Sequence, residues 1–179
     1  MIRLINIILI TLCLSACSGK QYNFSSQQEF DEYLNDIGNG FIQSYESNDL
    51  LFEARLIPAL KNENETQFTV QLRISRLDGF SVLETGNATK EEALTREGYL
   101  SFELLEDIEI EFDGKTEKPV FHHYERNYGI KPSVDILFNF DNITPKSDVS
   151  FIYRDQIFNQ GLIKLKFKKE LFTSCHVQD

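Results

Sequence analysis

The densest group of residues that could carry out chemistry is His122, His123, Tyr124, Glu125 and Arg126. Histidine and carboxylate side chains are common zinc ligands, and a zinc site needs three or four of them. On a strand, neighbouring side chains point to opposite faces, so the two histidines cannot converge on one ion. His123 and Glu125 share a face but would need a carboxylate from another strand. Ordinary strand packing is therefore the favoured interpretation, and no metal site is predicted.

Other catalytic groupings in the sequence are weaker. Cys175 and His176 lie within the last five residues, where chains usually fray. The sequence has no Gly-x-Ser-x-Gly elbow and no Gly-x-Gly-x-x-Gly phosphate loop. The 28 acidic residues could place two carboxylates in one cleft, as a glycoside hydrolase requires. Abundance alone does not identify such a pair, so no catalytic or cofactor-binding residue and no cofactor are predicted.

The first residues of the chain have the pattern of a secretory signal. A single basic residue, Arg3, precedes an apolar run from Leu4 to Leu14 that is interrupted by Asn6 and Thr11. A positive start followed by about ten apolar residues is typical of a signal peptide. The run is too short to cross a bilayer as a helix, which takes about 20 apolar residues.

The run ends in Leu14-Ser15-Ala16-Cys17, which resembles the lipobox of bacterial lipoproteins. The resemblance implies cleavage after Ala16 and attachment of a diacylglycerol, with a further acyl chain such as palmitate, at Cys17. Two or three acyl chains hold a protein stably to a membrane, whereas one holds it marginally. The residue after the cysteine, Ser18, is not aspartate. By resemblance to enteric bacteria this favours the outer membrane over the inner membrane of the cell envelope.

Composition limits the partners that the mature chain can have. The net charge is −10, and loss of residues 1–16 removes only Arg3, so the mature chain carries −11. An acidic surface repels phosphate backbones and anionic headgroups, so nucleic acid is not an expected partner. Cleavage leaves two cysteines, Cys17 and Cys175, and lipid occupies the first, so no intramolecular disulfide is expected.

Hydrophobic periodicity after residue 40 indicates a β-rich domain. The clearest case is Phe68, Val70, Leu72 and Ile74, which alternate with polar residues as in a strand with one buried face. Further strands are predicted at 41–46, 50–57, 99–105, 108–112, 119–126, 134–140, 149–154 and 162–168. Turn pairs such as Asp78-Gly79 separate these runs. Eight or nine such strands predict an antiparallel β-sandwich or small barrel.

Two short helices are predicted within this β-rich chain. Ser26 and Glu29 form a capping-box pattern, and apolar residues continue at helical spacing through Ile37. A second capping box at Thr89 predicts a helix over 90–97. The domain assignment is a cleaved signal over 1–16, a lipidated tether over 17–25 and a single domain over 26–179. The tether would hold the domain close to its membrane.

Two predicted strands carry complementary charge. On 108–112 the glutamates Glu109 and Glu111 share one face, and on 162–168 the three lysines share one face. If the two strands were neighbours, opposite charges would meet in solvent and the apolar faces would enter the core. We therefore predict that they pair. The alternative is that the lysines protect an exposed edge from aggregation.

Two segments together resemble a known group of proteins. The segments are Gly98-Tyr99-Leu100-Ser101-Phe102 and 123–129, which reads His-Tyr-Glu-Arg-Asn-Tyr-Gly, followed by Pro132. They are similar to a group of small, uncharacterised lipoproteins of Bacteroidota. The resemblance implies an outer-membrane location and brings no activity with it.

These observations favour a membrane-anchored lipoprotein with a non-enzymatic β-sandwich. Its expected contacts are the membrane, through the lipid on Cys17, and an envelope protein partner. A sugar- or peptide-binding lipoprotein is the first alternative, and a concave pocket lined by tyrosines would favour it. An envelope hydrolase is the second. It would need two carboxylates, or a histidine and a carboxylate, in one cleft.

Overall fold

The computed structural model of the chain describes residues 22–58, 67–126, 131–141 and 143–172, and the backbone of 175–177. The predicted signal segment and Cys17 lie outside the described residues. The described strands are β1 (Tyr22–Phe24), β2 (Ile42–Ser47), β3 (Leu50–Ile57), β4 (Phe68–Arg76), β5 (Ile108–Phe112), β6 (Lys115–Glu117), β7 (Phe121–Glu125), β8 (Val134–Phe140), β9 (Val149–Arg154), β10 (Leu162–Phe167) and β11 (Cys175–Val177). The α-helices are α1 (Gln27–Asn35) and α2 (Lys90–Phe102).

Nine of the described strands form two antiparallel sheets. The five-stranded sheet has the order β2-β3-β4-β8-β7, and the four-stranded sheet has the order β10-β9-β5-β6. Strands β1 and β11 form a separate parallel pair. The chain is therefore mostly β, and the predicted antiparallel sandwich of eight or nine strands with short helices is confirmed.

The core lies between the two sheets. Along β3 and β4, buried apolar residues alternate with partly exposed ones, as the sequence periodicity predicts. Aromatic rings join the sheets across the core: the ring centroids of Phe52 and Tyr153 are 6.2 Å apart, and those of Phe138 and Phe151 are 5.9 Å apart. Each such ring buries a large apolar area, so these contacts dominate the stability of the sandwich.

The two sides of the sandwich are closed differently. On one side, Cα atoms of β2 and β10 approach within 8 Å, although the two strands are not hydrogen-bonded neighbours. On the other side, helix α2 lies beside β7, and the chain continues through the 3-10 turn Leu104–Asp107 into β5. Leu100 and Leu104 are fully buried there. Helix α2 therefore covers the gap between the β7 edge and the four-stranded sheet.

Helix α2 corrects one prediction and extends another. The helix predicted over 90–97 continues to Phe102, and the strand predicted over 99–105 does not form. A strand would place residues 100, 102 and 104 on one face. Instead Leu100 and Leu104 are buried and Phe102 is 74% exposed, which is the i, i+4 pattern of a helix. The start is as predicted, with a complete capping box between Thr89 and Glu92.

Helix α1 is shorter than its predicted apolar pattern. The side chain of Ser26 caps the helix by accepting the N–H of Glu29, whereas the Glu29 carboxylate binds Ser25 rather than Ser26. The helix ends at Asn35 because Asp36 adopts an extended backbone conformation. Ile37, expected to continue the apolar face, is 75% exposed. Only the first part of the predicted face, including Phe30 and Leu34, enters the core.

The ordered fold begins earlier than predicted. Residues 22–24, assigned above to a tether over 17–25, form β1, and Phe24 is buried against the rings of Phe30 and Tyr33. β1 pairs with β11, so the two ends of the described chain lie together. The predicted tether is thus too long by at least three residues.

The predicted pairing of 108–112 with 162–168 is wrong, because β9 lies between β5 and β10 and pairs with both. The expected charge contact nevertheless forms across β9. The Nζ atom of Lys164 lies 2.7 Å from Oε2 of Glu111, and both side chains are about half exposed. Strands two positions apart in a sheet are separated by about 10 Å, which long lysine and glutamate side chains can span.

A double-mutant cycle measures this contact. Replacing Lys164 and Glu111 by alanine, singly and together, is expected to give a coupling of about 0.2–1 kcal/mol in the free energy of unfolding, because both groups are exposed. The coupling should fall toward zero in 1 M salt, which screens exposed charges over about 3 Å. A coupling that is unchanged by salt would contradict an exposed ion pair.

Candidate interaction surface on helix α2 and strand β7

The two histidines of the first predicted group lie on opposite faces of β7, as expected for a strand. His122 faces the sandwich interior, where its ring lies against Phe138 with centroids 6.1 Å apart. Its Nε2 atom is 3.0 Å from the backbone carbonyl oxygen of Ser101. A carbonyl can only accept, so Nε2 carries the proton and donates. His123 is exposed on the outer face, which it shares with the partly buried Glu125.

This arrangement assembles neither a metal site nor a catalytic pair at His122. Within the described ranges, no group of three or more histidine, cysteine, aspartate or glutamate side chains could hold an ion. The Ser101 hydroxyl is buried and has no hydrogen-bond partner among the described residues. It is therefore not coupled to His122 as a nucleophile would be coupled to its base. Of Cys175 and His176, only the backbone in β11 is described.

On the outer face of the five-stranded sheet, one carboxylate is buried in a salt bridge. Asp135 is 3% exposed and accepts two bonds from the Arg73 guanidinium, at 2.7 and 3.2 Å. Gln71 also donates to it, and the Lys131 ammonium lies 3.8 Å away. The hydrogen bond from Arg73 to Asp135 raises the pKa of the guanidinium above its usual value. This network joins β4 to β8, and both oxygens of the Asp135 carboxylate accept hydrogen bonds within it.

Two further carboxylates, Asp107 and Asp155, accept hydrogen bonds from partly or fully buried tyrosines. The hydroxyl of Tyr99 donates to Asp107 at 2.6 Å, and that of Tyr153 donates to Asp155 at 2.9 Å. Asp155 also accepts the backbone N–H groups of 157, 158 and 160, which closes the turn before β10. A hydrolytic pair needs carboxylates that are free to meet substrate in a cleft. These two are instead held by tyrosines and backbone.

The surface of the described residues has clefts, and two of them are large enough to hold a ligand. One of about 410 Å³ lies between α1 and the end of β3, and one of about 680 Å³ lies beside the β5–β6 hairpin. The larger is lined by Asp113, Glu117 and Asp141 among others. The N–H of Lys146 and the Ser147 side chain hold the pKa of Asp113 below its usual value. A glycosidase general acid needs a raised pKa, so Asp113 does not fit that role. No described tyrosine is among the lining residues of either cleft.

The feature that stands out is an exposed apolar surface on α2 and the start of β7. Phe102 is 74% exposed, Leu94 58%, and Val120 and Phe121 are 56% exposed each. The hydrogen bond between His122 and Ser101 holds the start of β7 against the end of the helix. Phe121 shares the outer face of the sheet with His123, so we call only Leu94, Phe102 and Val120 the α2–β7 patch. Exposed apolar groups gathered from two elements are typical of binding surfaces.

The segment that contains helix α2 is acidic, although Lys118 pairs with one of its carboxylates, Glu106. Between residues 84 and 107 the sequence has seven acidic and two basic residues. One of the two basic side chains, Arg96, turns inward, where it donates to the carbonyl oxygens of Leu83 and Thr85 and lies 5.8 Å from the Phe158 ring centroid. The strand predicted over 99–105 does not indicate this surface, because it places Phe102 on the same face as Leu100. The signal that could have indicated it is the position of Phe102, two residues after Leu100. On a helix these two residues lie about 200° apart, so Phe102 is outside when Leu100 is inside.

Within the described residues, no helix has the length and apolar character needed to cross a bilayer. Comparison with known proteins gives no match to this chain, whether to a protein-family model, a curated protein or a solved structure.

Proposed function

We propose that this chain is a bacterial lipoprotein, anchored to a membrane by lipid on Cys17, whose β-sandwich binds an envelope partner without catalysing a reaction. The observation that carries the proposal is Leu14-Ser15-Ala16-Cys17 at the end of the apolar run from Leu4 to Leu14. Each buried CH₂ of an acyl chain contributes about 0.8 kcal/mol, so two or three chains give stable attachment. The acidic domain makes lipid the main source of membrane affinity.

The early start of the fold supports an anchor that works at short range. Tyr22 is the first residue of β1, five residues after Cys17. Five extended residues span at most about 18 Å. A lipid on Cys17 would therefore hold the sandwich close to the bilayer surface, where its partners would be other proteins of the envelope.

The outer membrane is the proposed location. Ser18 after the lipidated cysteine favours it under the sorting rule of enteric bacteria. The resemblance of 98–102 and 123–129 to small lipoproteins of Bacteroidota supports the same location.

The α2–β7 patch supports a binding role for the domain. Its three apolar side chains are all more than half exposed. The carboxylates of Asp107, Asp135 and Asp155 accept structural hydrogen bonds. His122 donates to a backbone carbonyl oxygen and has no nucleophile bonded to it among the described residues. A partner that covers the patch would bury this apolar area, which is the main source of free energy in protein association.

Replacing Cys17 by serine tests the anchor. The variant is expected to leave the membrane fraction and appear in the soluble fraction, because the acyl chains have no other attachment point. Membrane fractionation measures this, together with the mass of the N-terminal peptide. Cys13→Ser is the matched control: it removes a thiol within the predicted signal and should leave membrane association unchanged. Unchanged fractionation of Cys17→Ser, with no lipid mass on the N-terminal peptide of the parent protein, would refute the proposal.

A further inference from the structure

The exposed face of α2 has the shape of a shallow notch between two apolar side chains. Leu94, Gly98 and Phe102 follow one another at four-residue intervals, so they lie on the same side of the helix. A Cβ placed on Gly98 would meet nothing within 4 Å, which leaves open space between its two neighbours. A side chain of a second helix can enter such a space, as a knob enters a hole between helices.

The start of β7 extends this notch sideways. Val120 lies between two contacts that fix the segment against the helix region: Lys118 Nζ is 3.2 Å from the Glu106 carbonyl oxygen, and His122 binds the Ser101 carbonyl. Val120 is 56% exposed. Val120 therefore adds an exposed apolar side chain near the end of the helix, on a segment that two hydrogen bonds hold in place.

Charge identifies the kind of partner that fits this surface. Glu91, Glu97 and Glu103 lie on α2 or at its end, and the inward turn of Arg96 leaves Lys90 as the basic residue of α2 that is free to face solvent. A second copy of this chain would bring the same acidic rim against it, and an anionic bilayer would repel it. A partner with basic residues around an apolar stripe is complementary.

We propose that the α2–β7 patch binds a cationic amphipathic helix of an envelope protein, with an apolar side chain of that helix in the notch above Gly98. The proposal rests on the binding role proposed above and adds the chemistry of the partner. Apolar burial supplies the affinity, and the acidic rim selects lysine and arginine around the stripe. Amphipathic helices commonly bind apolar grooves through a row of apolar anchors on one of their faces.

The test uses the mature chain from residue 17 onward with Cys17→Ser, so that no lipid or detergent competes for the probe. The core cluster of the described residues lies between Phe24 and Leu171, after the anchor, so the fold does not depend on the lipid. Three synthetic peptides of equal length serve as probes: an amphipathic Lys/Leu helix, a scrambled Lys/Leu peptide of the same composition, and an amphipathic Glu/Leu helix. Fluorescence anisotropy of each labelled peptide gives its affinity.

The amphipathic Lys/Leu peptide is expected to bind in a saturable 1:1 complex, at least tenfold more tightly than either other peptide, and more weakly as salt rises. Leu94→Ser with Phe102→Ser should weaken binding by about tenfold or more, since such anchors carry much of an interface's free energy. Leu77→Ser with Phe80→Ser is the matched control, because these residues are 51% and 66% exposed in the loop after β4. Thermal melts of both variants confirm that they fold.

Several results would overturn the proposal. Equal binding of the scrambled or acidic peptide would show that no amphipathic, cationic partner is selected. Binding that survives in the Leu94/Phe102 variant would place the contact elsewhere. Uptake by phosphatidylcholine vesicles, or dimerisation in sedimentation experiments, that is lost in this variant would assign the patch to lipid or to a second copy. None of these outcomes bears on the lipid anchor, which the Cys17→Ser fractionation tests separately.

Discussion

Raising the pH from 9 to 12 is expected to unfold the domain steeply, with tyrosines as the main cause. Tyr153 is fully buried and Tyr124 is 9% exposed. Burial raises the pKa of Tyr124 to about 12, and the negative charge of Glu97 adds to the shift. Burial also raises the pKa values of Tyr153 and Tyr99 well above the usual value, and the carboxylates Asp155 and Asp107 add to these shifts.

The direction of the effect follows from proton binding. Below pH 10 these tyrosines are protonated in both the folded and the unfolded chain, so the stability is fully present. Between pH 10 and 12 the unfolded chain releases their protons while the folded chain keeps them. Each such group then lowers the free energy of unfolding by up to about 1.4 kcal/mol per pH unit. The two buried tyrosines, Tyr124 and Tyr153, together give a slope of up to about 3 kcal/mol per pH unit, and Tyr99 adds less because solvent screens its partly exposed ring.

Urea unfolding at pH 9, 10 and 11 measures this slope, and tyrosinate absorbance follows ionisation directly. Tyr153→Phe should flatten the slope, although at pH 7 it loses the hydrogen bond to Asp155, which is worth about 0.5–1.5 kcal/mol. Tyr45→Phe is the control, because Tyr45 is 38% exposed. Equal slopes for the parent chain and for phenylalanine variants at positions 99, 124 and 153 would contradict the prediction.

The strands of the sandwich could be predicted from the sequence because a buried sheet face imposes a period of two. The boundaries of β3 and β5 agree with the prediction, and those of β7 differ by one or two residues. Strand order could not be predicted in the same way. The charges on β5 and β10 indicated a shared face correctly, but long side chains reach across an intervening strand. Charge complementarity therefore does not distinguish first neighbours from second neighbours.

The ends of the domain were predicted less well, because the two strands there have only three residues each. Residues 22–24 were assigned to a tether on composition, yet Phe24 is buried and β1 pairs with β11 about 150 residues later. A three-residue strand has too few positions for an alternating pattern. Its pairing depends on a distant segment, which local sequence does not reveal.

The candidate surface depends on one misread element. Residues 99–105 read Tyr-Leu-Ser-Phe-Glu-Leu-Leu, which satisfies a period of two through Leu100, Phe102 and Leu104 and a helical period through Leu100 and Leu104. The β-branched residues that favour strands are absent from this run, and the capping box at Thr89 had already started a helix. That local evidence favours the helix and leaves Phe102 on the outside.

Alanine substitutions on helix α2 test this outcome directly. Leu100→Ala is expected to lower the free energy of unfolding by about 2–5 kcal/mol, because Leu100 is fully buried where α2 covers the side of the sandwich and alanine would leave a cavity. Phe102→Ala is expected to change it by less than about 0.5 kcal/mol, because Phe102 is 74% exposed. Urea denaturation of the two variants and of the parent chain measures both values.

The pair also distinguishes the two secondary structures. In a strand, residues 100 and 102 share one face, so both substitutions would cost similar amounts. In the helix they are separated by about 200° around the axis, so their costs diverge. Leu104→Ala serves as the positive control, because Leu104 is fully buried one helical turn after Leu100. Equal losses from Leu100→Ala and Phe102→Ala would mean that Phe102 is covered in solution, which would remove the α2–β7 patch as well. A large difference, with Leu104→Ala following Leu100→Ala, would leave Phe102 free to contact a partner.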